Sequence, residues 1–124
     1  MPACEAGRVS SLAAIKPYPL IAKKTTKAAV IALTQQLAAE NARYGIRANV
    51  ILPGLMNTPM AVEPRVRPDH SREEVVAERD RQVPLGRKMG TAWDVANAAA
   101  FLASDRAGYI TGIALPVDGG LSVS

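Results

Sequence analysis

The side chains with the clearest chemical potential in this sequence are amines and hydroxyls in its first third. Lys23 and Lys27 stand four residues apart, and Ser10 and Ser11 form a hydroxyl pair upstream of them. Residues at i and i+4 lie on one face of a helix, so a helix here would put two like charges side by side. A lysine can transfer protons in principle, whereas a Ser-Ser pair taken alone is usually part of a turn.

Other residue types that carry chemistry are sparse. His70 is the only histidine and has no cysteine or histidine partner nearby, so no metal site is expected. Neither spacing of the glycine-rich turn that cradles dinucleotide phosphates, Gly-x-x-x-Gly-x-Gly or Gly-x-Gly-x-x-Gly, occurs in the sequence.

Length and composition predict a single globular domain. The chain has 124 residues, of which 48% are apolar and 21% charged. The net charge of +4 comes from residues 1–60, which have seven basic and two acidic side chains. Residues 61–124 have eight basic and nine acidic side chains and nearly balance. The arginines of the second half alternate with acidic residues, which predicts a solvated mixed surface and no nucleic-acid partner. One cysteine, no apolar run of about 18 residues and no signal peptide favour a cytoplasmic protein without a membrane span.

Hydrophobic periodicity predicts helices alternating with strands. The clearest helix begins at Thr25 or Thr26 and runs to Arg43, and its broad apolar surface predicts burial on two sides. A strand at 46–52 follows and ends at Pro53-Gly54. Capping-box spacing predicts helices that begin at Ser71 and Thr91, and a last strand covers 113–117. Residues 10–21 are predicted as a loop, and residues 1–9 are poorly patterned except that Arg8-Val9 could end a strand. A strand after a helix that is apolar on both faces indicates an α/β fold with a parallel sheet.

Several motifs, in order, together resemble the short-chain dehydrogenase/reductase family. They are Ser10-Ser11, Lys27-Ala-Ala-Val, Gly45-Ile-Arg-Ala-Asn-Val-Ile-Leu-Pro-Gly54 with Thr58, Pro84-Leu-Gly-Arg87, Asp94-Val-Ala96, Phe101-Leu-Ala-Ser-Asp105, Tyr109-Ile-Thr-Gly112 and Val117-Asp-Gly-Gly120. The match covers about residues 8–122. The members that this sequence resembles most are 3-oxoacyl-carrier-protein reductases and sugar or polyol dehydrogenases.

The resemblance implies an NAD- or NADP-dependent oxidoreductase that interconverts an alcohol and a carbonyl. It implies that Ser11 holds the substrate oxygen, that Lys27 binds the ribose, and that Pro53, Gly54, Met56 and Thr58 contact the nicotinamide. In the family a tyrosine four residues before the lysine donates the proton, but Lys23 occupies that position here. Tyr18, nine residues before Lys27, cannot take the same helical position, so a role of Lys23 as the acid stays open.

The resemblance also implies the architecture. The chain corresponds to the C-terminal portion of a Rossmann-like doubly wound parallel sheet, truncated before its first strands, as one partial domain over 1–124. Residues 55–83 correspond to the family's substrate loop, and the helix at 25–43 to its homo-oligomer interface. The alternative function is a non-catalytic remnant that acts as an oligomerisation or interaction module.

Overall fold

The structure is a computed structural model that describes residues 4–124. Three parallel strands form one sheet in the order β1-β2-β3: β1 (Cys4–Val9), β2 (Ile46–Pro53) and β3 (Ala114–Val117). Helix α1 (Ile21–Asn41) connects β1 to β2, while α2 (Pro59–Val62), α3 (Arg72–Gln82) and α4 (Ala92–Ala103) lie between β2 and β3. The predicted α/β class is confirmed.

Strand β1 is longer than the sequence pattern indicated. It pairs with β2 over its whole length, from Cys4 opposite Ile46 to Val9 opposite Ile51. Gly7, Arg8 and Val9 are all exposed, so the strand has no buried alternation to read from the sequence. Backbone pairing to a buried neighbour defines it instead. The prediction for residues 1–3 lies outside the described residues.

Strand β2 supplies much of the core. Six consecutive residues, Arg47 to Leu52, are buried. Side chains alternate along a strand, so Ala48, Val50 and Leu52 share one face while Arg47 and Asn49 share the other. A strand buried on both faces is typical of a parallel sheet covered by helices.

Helix α1 begins one turn earlier than predicted. It starts at Ile21, after Leu20, and no side chain caps its first turn. The threonines taken as its start are internal, since the Thr26 hydroxyl donates to the Ala22 carbonyl at 2.9 Å. The Lys24 amine, which donates to the Lys16 carbonyl at 2.9 Å, fastens this extra turn to the preceding loop.

The prediction that α1 is buried on two sides was wrong for the described chain. Only Thr34 and Ala38 are buried in it, and Leu33 is 53% exposed. One face packs on the sheet, and the opposite face has no neighbour within residues 4–124. The other predicted boundaries are close to those observed. Gly45 follows α1 with φ of +73°, Ser71 forms a complete capping box at α3, and at α4 the Asp94 carboxylate accepts from the Thr91 amide at 2.6 Å.

Candidate active site

All seven site residues predicted from the sequence line one cleft of about 880 Å³. They are Ser11, Lys23, Lys27, Pro53, Gly54, Met56 and Thr58. The cleft lies where β1 and β2 end and the chain turns towards α1 and α2. Ligands of open parallel sheets bind at the carboxyl ends of strands, so this is the expected edge for a site.

The two serines that follow β1 have different surroundings. Ser10 is 5% exposed, and its hydroxyl donates to the Lys27 carbonyl at 2.7 Å, which fixes α1 to the end of the strand. Ser11 is half-buried, and its oxygen accepts from the Ala13 amide at 3.2 Å. That bond uses a lone pair and leaves the Ser11 proton free to be donated. Ser10 therefore positions Lys27, and Ser11 has the available hydroxyl.

Lys23 and Lys27 occupy successive turns of α1, and Tyr18, which its sequence position excludes from the helical site, stands beside Lys23. The Lys23 amine donates to the Tyr18 hydroxyl at 3.2 Å and lies 4.9 Å from the centre of its ring. Tyr18 does not take the helical position of Lys23, but the loop with Pro17 and Pro19 carries its ring into the same cleft. The nearest sequence signal was this tyrosine five residues before Lys23, in a segment where proline restricts the backbone.

The Pro53-Gly54 turn is set by close backbone approach. A Cβ on Gly54 would stand 2.6 Å from the Cβ of Asp118, so no larger residue fits here without movement. Burial opposes ionisation of Asp118, but hydrogen bonds from Ser122 and Gly120 and the charge of Lys16 outweigh it and lower its pKa. The ionised Asp118 thus closes the C-terminal turn, and its backbone lies close to Gly54.

Met56 and Thr58 lie on the segment that follows this turn. The Met56 side chain fits because Gly90 has none: a Cβ there would stand 2.8 Å from the methionine sulphur. The Met56 carbonyl accepts from the Thr58 amide at 3.0 Å. Thr58 precedes α2, yet its side chain makes no capping hydrogen bond, which leaves the hydroxyl available to a ligand in the cleft.

Three further basic side chains line the cleft, and no acidic side chain does so within residues 4–124. They are Lys16, Arg65 and Arg79. The prediction that the arginines of the second half form a solvated mixed surface was wrong for Arg79, whose Nε is buried without a hydrogen-bond partner. Val75, Arg79 and Gln82 share a face of α3, and because Val75 is buried against the core that face turns Arg79 inwards.

The described residues contain neither a metal-ligand cluster nor a membrane-spanning helix. Between residues 4 and 124, no three His, Cys, Asp or Glu side chains come together as metal ligands would. His70 lies 3.2 Å from Glu78. In the same range no helix is long and apolar enough to cross a membrane.

Comparison with known proteins places this fold and cleft in a family. A family model described as enoyl-(acyl carrier protein) reductase matches residues 7–122. A 2,5-dichloro-2,5-cyclohexadiene-1,4-diol dehydrogenase from Sphingobium indicum is 48% identical over 98 residues, which are 79% of this chain and 36% of that protein. A 3beta-hydroxysteroid dehydrogenase from Eggerthella lenta is 46% identical over 93% of this chain and 42% of its own length.

A solved structure agrees with these relatives. The aldohexose dehydrogenase of Thermoplasma acidophilum superposes with a TM-score of 0.86 at 38% identity, over 97% of this chain and 48% of that one. The chain belongs to the short-chain dehydrogenase/reductase family and has its Rossmann-type parallel fold. It spans less than half the length of these relatives.

Proposed function

We propose that the cleft is the nicotinamide and substrate side of an NAD- or NADP-dependent oxidoreductase that interconverts an alcohol and a carbonyl. The observation that carries the proposal is the meeting of Ser11, Lys23, Lys27 and Thr58, from three separate segments, in one cleft. The named relatives support the reaction class, since each is described as a dehydrogenase of a diol, a hydroxysteroid or an aldohexose.

The residues present fit the nicotinamide end of such a cofactor. Lys27 would hold the ribose hydroxyls, and the free Thr58 hydroxyl would bind the carboxamide beside the Met56 backbone. Pro53 and Gly54 would form the wall against the ring. When bound, the nicotinamide gives or takes the hydride; the chain's own groups orient the substrate and move the proton.

The proton has a route through Tyr18 and Lys23. Ser11 donates a hydrogen bond to the substrate oxygen, which polarises the carbonyl. Tyr18 supplies the proton to that oxygen, and the Lys23 ammonium, at hydrogen-bond distance, stabilises the negative charge left on the phenol. Tyr18 would thereby take over the part of the tyrosine that the family has at the position of Lys23.

The test is NADH and NADPH oxidation by the intact chain with a panel of ketones and aldehydes, together with binding of reduced nicotinamide mononucleotide. Loss of a general acid lowers rates by about 10²–10⁴-fold, so Tyr18→Phe should abolish most turnover but keep mononucleotide binding. Lys23→Tyr restores the family's Tyr-x-x-x-Lys spacing and should raise turnover. Tyr44→Phe, an exposed tyrosine outside the cleft, is the matched control.

The result that would contradict the proposal is equally definite. It is wrong if neither the natural chain nor Lys23→Tyr binds the mononucleotide or oxidises either dinucleotide. If only Lys23→Tyr turns over, the site is intact but Tyr18 does not supply the proton.

A second candidate function, an interaction module, is favoured by the uncovered face of α1. Leu33 is 53% and Ile21 80% exposed on a helix of 21 residues that packs on one side only. We infer that this face binds a second copy of the chain or a longer relative. Light scattering should show a dimer that Leu33→Glu dissociates and Asn97→Asp, at an exposed position on α4, does not. A monomer in the natural chain would exclude self-association.

A further inference from the structure

Two arginines line the cleft, and both come from the segment between β2 and α4. Arg65 closes the short turn after α2, and Arg79 lies in the last turns of α3. The Arg65 guanidinium donates to the Ala61 carbonyl at 2.6 Å, which holds it at the rim of the cleft. Arg79 is half-buried, whereas Arg65 is exposed.

Neither arginine has an acidic partner within residues 4–124. The acidic side chains nearest in sequence are engaged elsewhere: Glu63 with Arg72 at 3.0 Å, Glu78 with His70, and Asp80 with Lys88. A buried donor without a partner is costly, and most such groups in folded proteins are satisfied. Arg79 lines the cleft with its Nε buried and without a hydrogen-bond partner, so its guanidinium is not neutralised by the described chain.

The charges act on each other as well. Burial, followed by the positive charge of Arg65, lowers the pKa of Arg79. Two cations that repel each other in a half-enclosed site, with no internal anion, are stabilised when an anion binds between them. Guanidinium groups suit this task because their planar donors match the oxygens of a carboxylate or phosphate.

We infer that Arg65 and Arg79 form an oxyanion subsite that selects substrates with a carboxylate or phosphate group in addition to the reacting carbonyl. That the anion is part of a substrate rests on the proposed function, whereas anion binding by the two arginines does not. Leu12, Met60, Ala61 and Val95 line the cleft as well, so the body that joins anion and carbonyl is apolar.

The test measures binding of small probes to the intact chain by calorimetry or NMR shifts, without cofactor or turnover. Benzoate and phenyl phosphate should bind about tenfold or more tighter than neutral benzamide, because charge-assisted hydrogen bonds favour the anion. Arg79→Gln and Arg65→Gln should each remove most of that preference. Arg81→Gln, an exposed arginine on another face of α3 and outside the cleft, should keep it.

Two additional measurements separate the competing explanations. Arg79→Lys keeps the charge, so a folded Arg79→Lys with intermediate affinity excludes misfolding as the cause of the loss. The preference for nicotinamide mononucleotide over nicotinamide riboside reports on the cofactor phosphate. It should be the same in the natural chain and in Arg79→Gln.

The inference is overturned if benzoate binds no tighter than benzamide, or if Arg81→Gln loses as much affinity as Arg79→Gln. It is also overturned if Arg79→Gln removes the preference for the mononucleotide, since the arginines would then serve the cofactor phosphate. Anion binding without any carbonyl turnover would keep the subsite and refute only the proposed oxidoreductase activity.

Discussion

Basic side chains stand in two contrasting settings in this molecule. Arg47, on β2, lies 2.6 Å from Glu5 of β1, and both side chains are less than 10% exposed. Its guanidinium also donates to the Leu102 carbonyl at 2.8 Å, and Asn49 beside it contacts Glu5. In the cleft, by contrast, the Arg79 guanidinium has no acidic partner within residues 4–124.

The difference shows what each group of charges does. Both arginines have a buried Nε without a partner, but the terminal nitrogens of Arg47 bind carboxylate and backbone oxygens that join β1, β2 and α4. A charge paired inside the chain stabilises the fold, and its removal leaves the partner charge buried and unpaired. A charge without an internal partner costs stability unless a ligand neutralises it, so the cleft cations serve binding.

The largest expected effect is that of breaking the buried ion pair between Arg47 and Glu5. Arg47→Met leaves Glu5 charged and buried, which should lower the free energy of unfolding by about 3–5 kcal/mol in urea denaturation. The double variant Glu5→Leu with Arg47→Met removes both charges and should recover most of the lost free energy of unfolding. Arg8→Gln, an exposed arginine on β1, is the control. A loss below about 1 kcal/mol in Arg47→Met would show that the pair does not stabilise the sheet.

The next effect concerns the turn that closes the cleft. In Gly54→Ala the new Cβ would overlap the Cβ and backbone of Asp118, at 2.6 and 2.7 Å, and overpacking costs about 1–3 kcal/mol. Gly7→Ala adds a methyl group where nothing lies within 4 Å and serves as the control. Equal unfolding free energies for the two variants would mean that the turn adjusts freely.

Asp118 should make the stability of the folded chain depend on pH. Its pKa in the folded chain lies below the ordinary value, so its contribution is present above the unfolded pKa of about 3.9 and is lost as pH falls through the folded pKa. Asp118→Asn should cost about 1–2 kcal/mol at neutral pH, and the gap to the natural chain should narrow as pH falls below about 4. Asp69→Asn, exposed, should show no such gap. A gap independent of pH would contradict a role for the charge.

Local signals were enough for much of this structure. Ser71 with Glu74 and Thr91 with Asp94 predicted the first turns of α3 and α4 because a capping box depends on four neighbouring residues only. The ordered motifs also predicted that Ser11, Lys27 and Thr58 belong to one site. The start of α1 was missed because Thr26 bonds inside the helix, where the sequence suggested a cap.

The features that the sequence did not predict depend on tertiary packing. Nothing local shows that the loop before α1 brings Tyr18 to Lys23, since that contact requires the whole path from Leu12 to Leu20. Arg79 looks like the arginines around it until Val75 is known to be buried against the core. The sequence could list the basic side chains, but only the fold separates those with partners from those without.

The smallest expected change in the free energy of unfolding is that of removing the unpaired arginine, Arg79. Arg79→Gln removes a repelled, unpaired cation, so the free energy of unfolding should rise slightly, by about 0.5 kcal/mol at most, in contrast to the loss in Arg47→Met. Adding benzoate at about a hundred times its dissociation constant should stabilise the natural chain by about 2.7 kcal/mol, because a ligand that binds only the folded state shifts unfolding by mass action. With its affinity lowered about tenfold, Arg79→Gln should gain only about 1.4 kcal/mol from the same addition, while Arg81→Gln responds like the natural chain. If Arg79→Gln unfolds as easily as Arg47→Met, or if benzoate stabilises it equally, then Arg79 belongs with the structural charges and the division between the two settings fails.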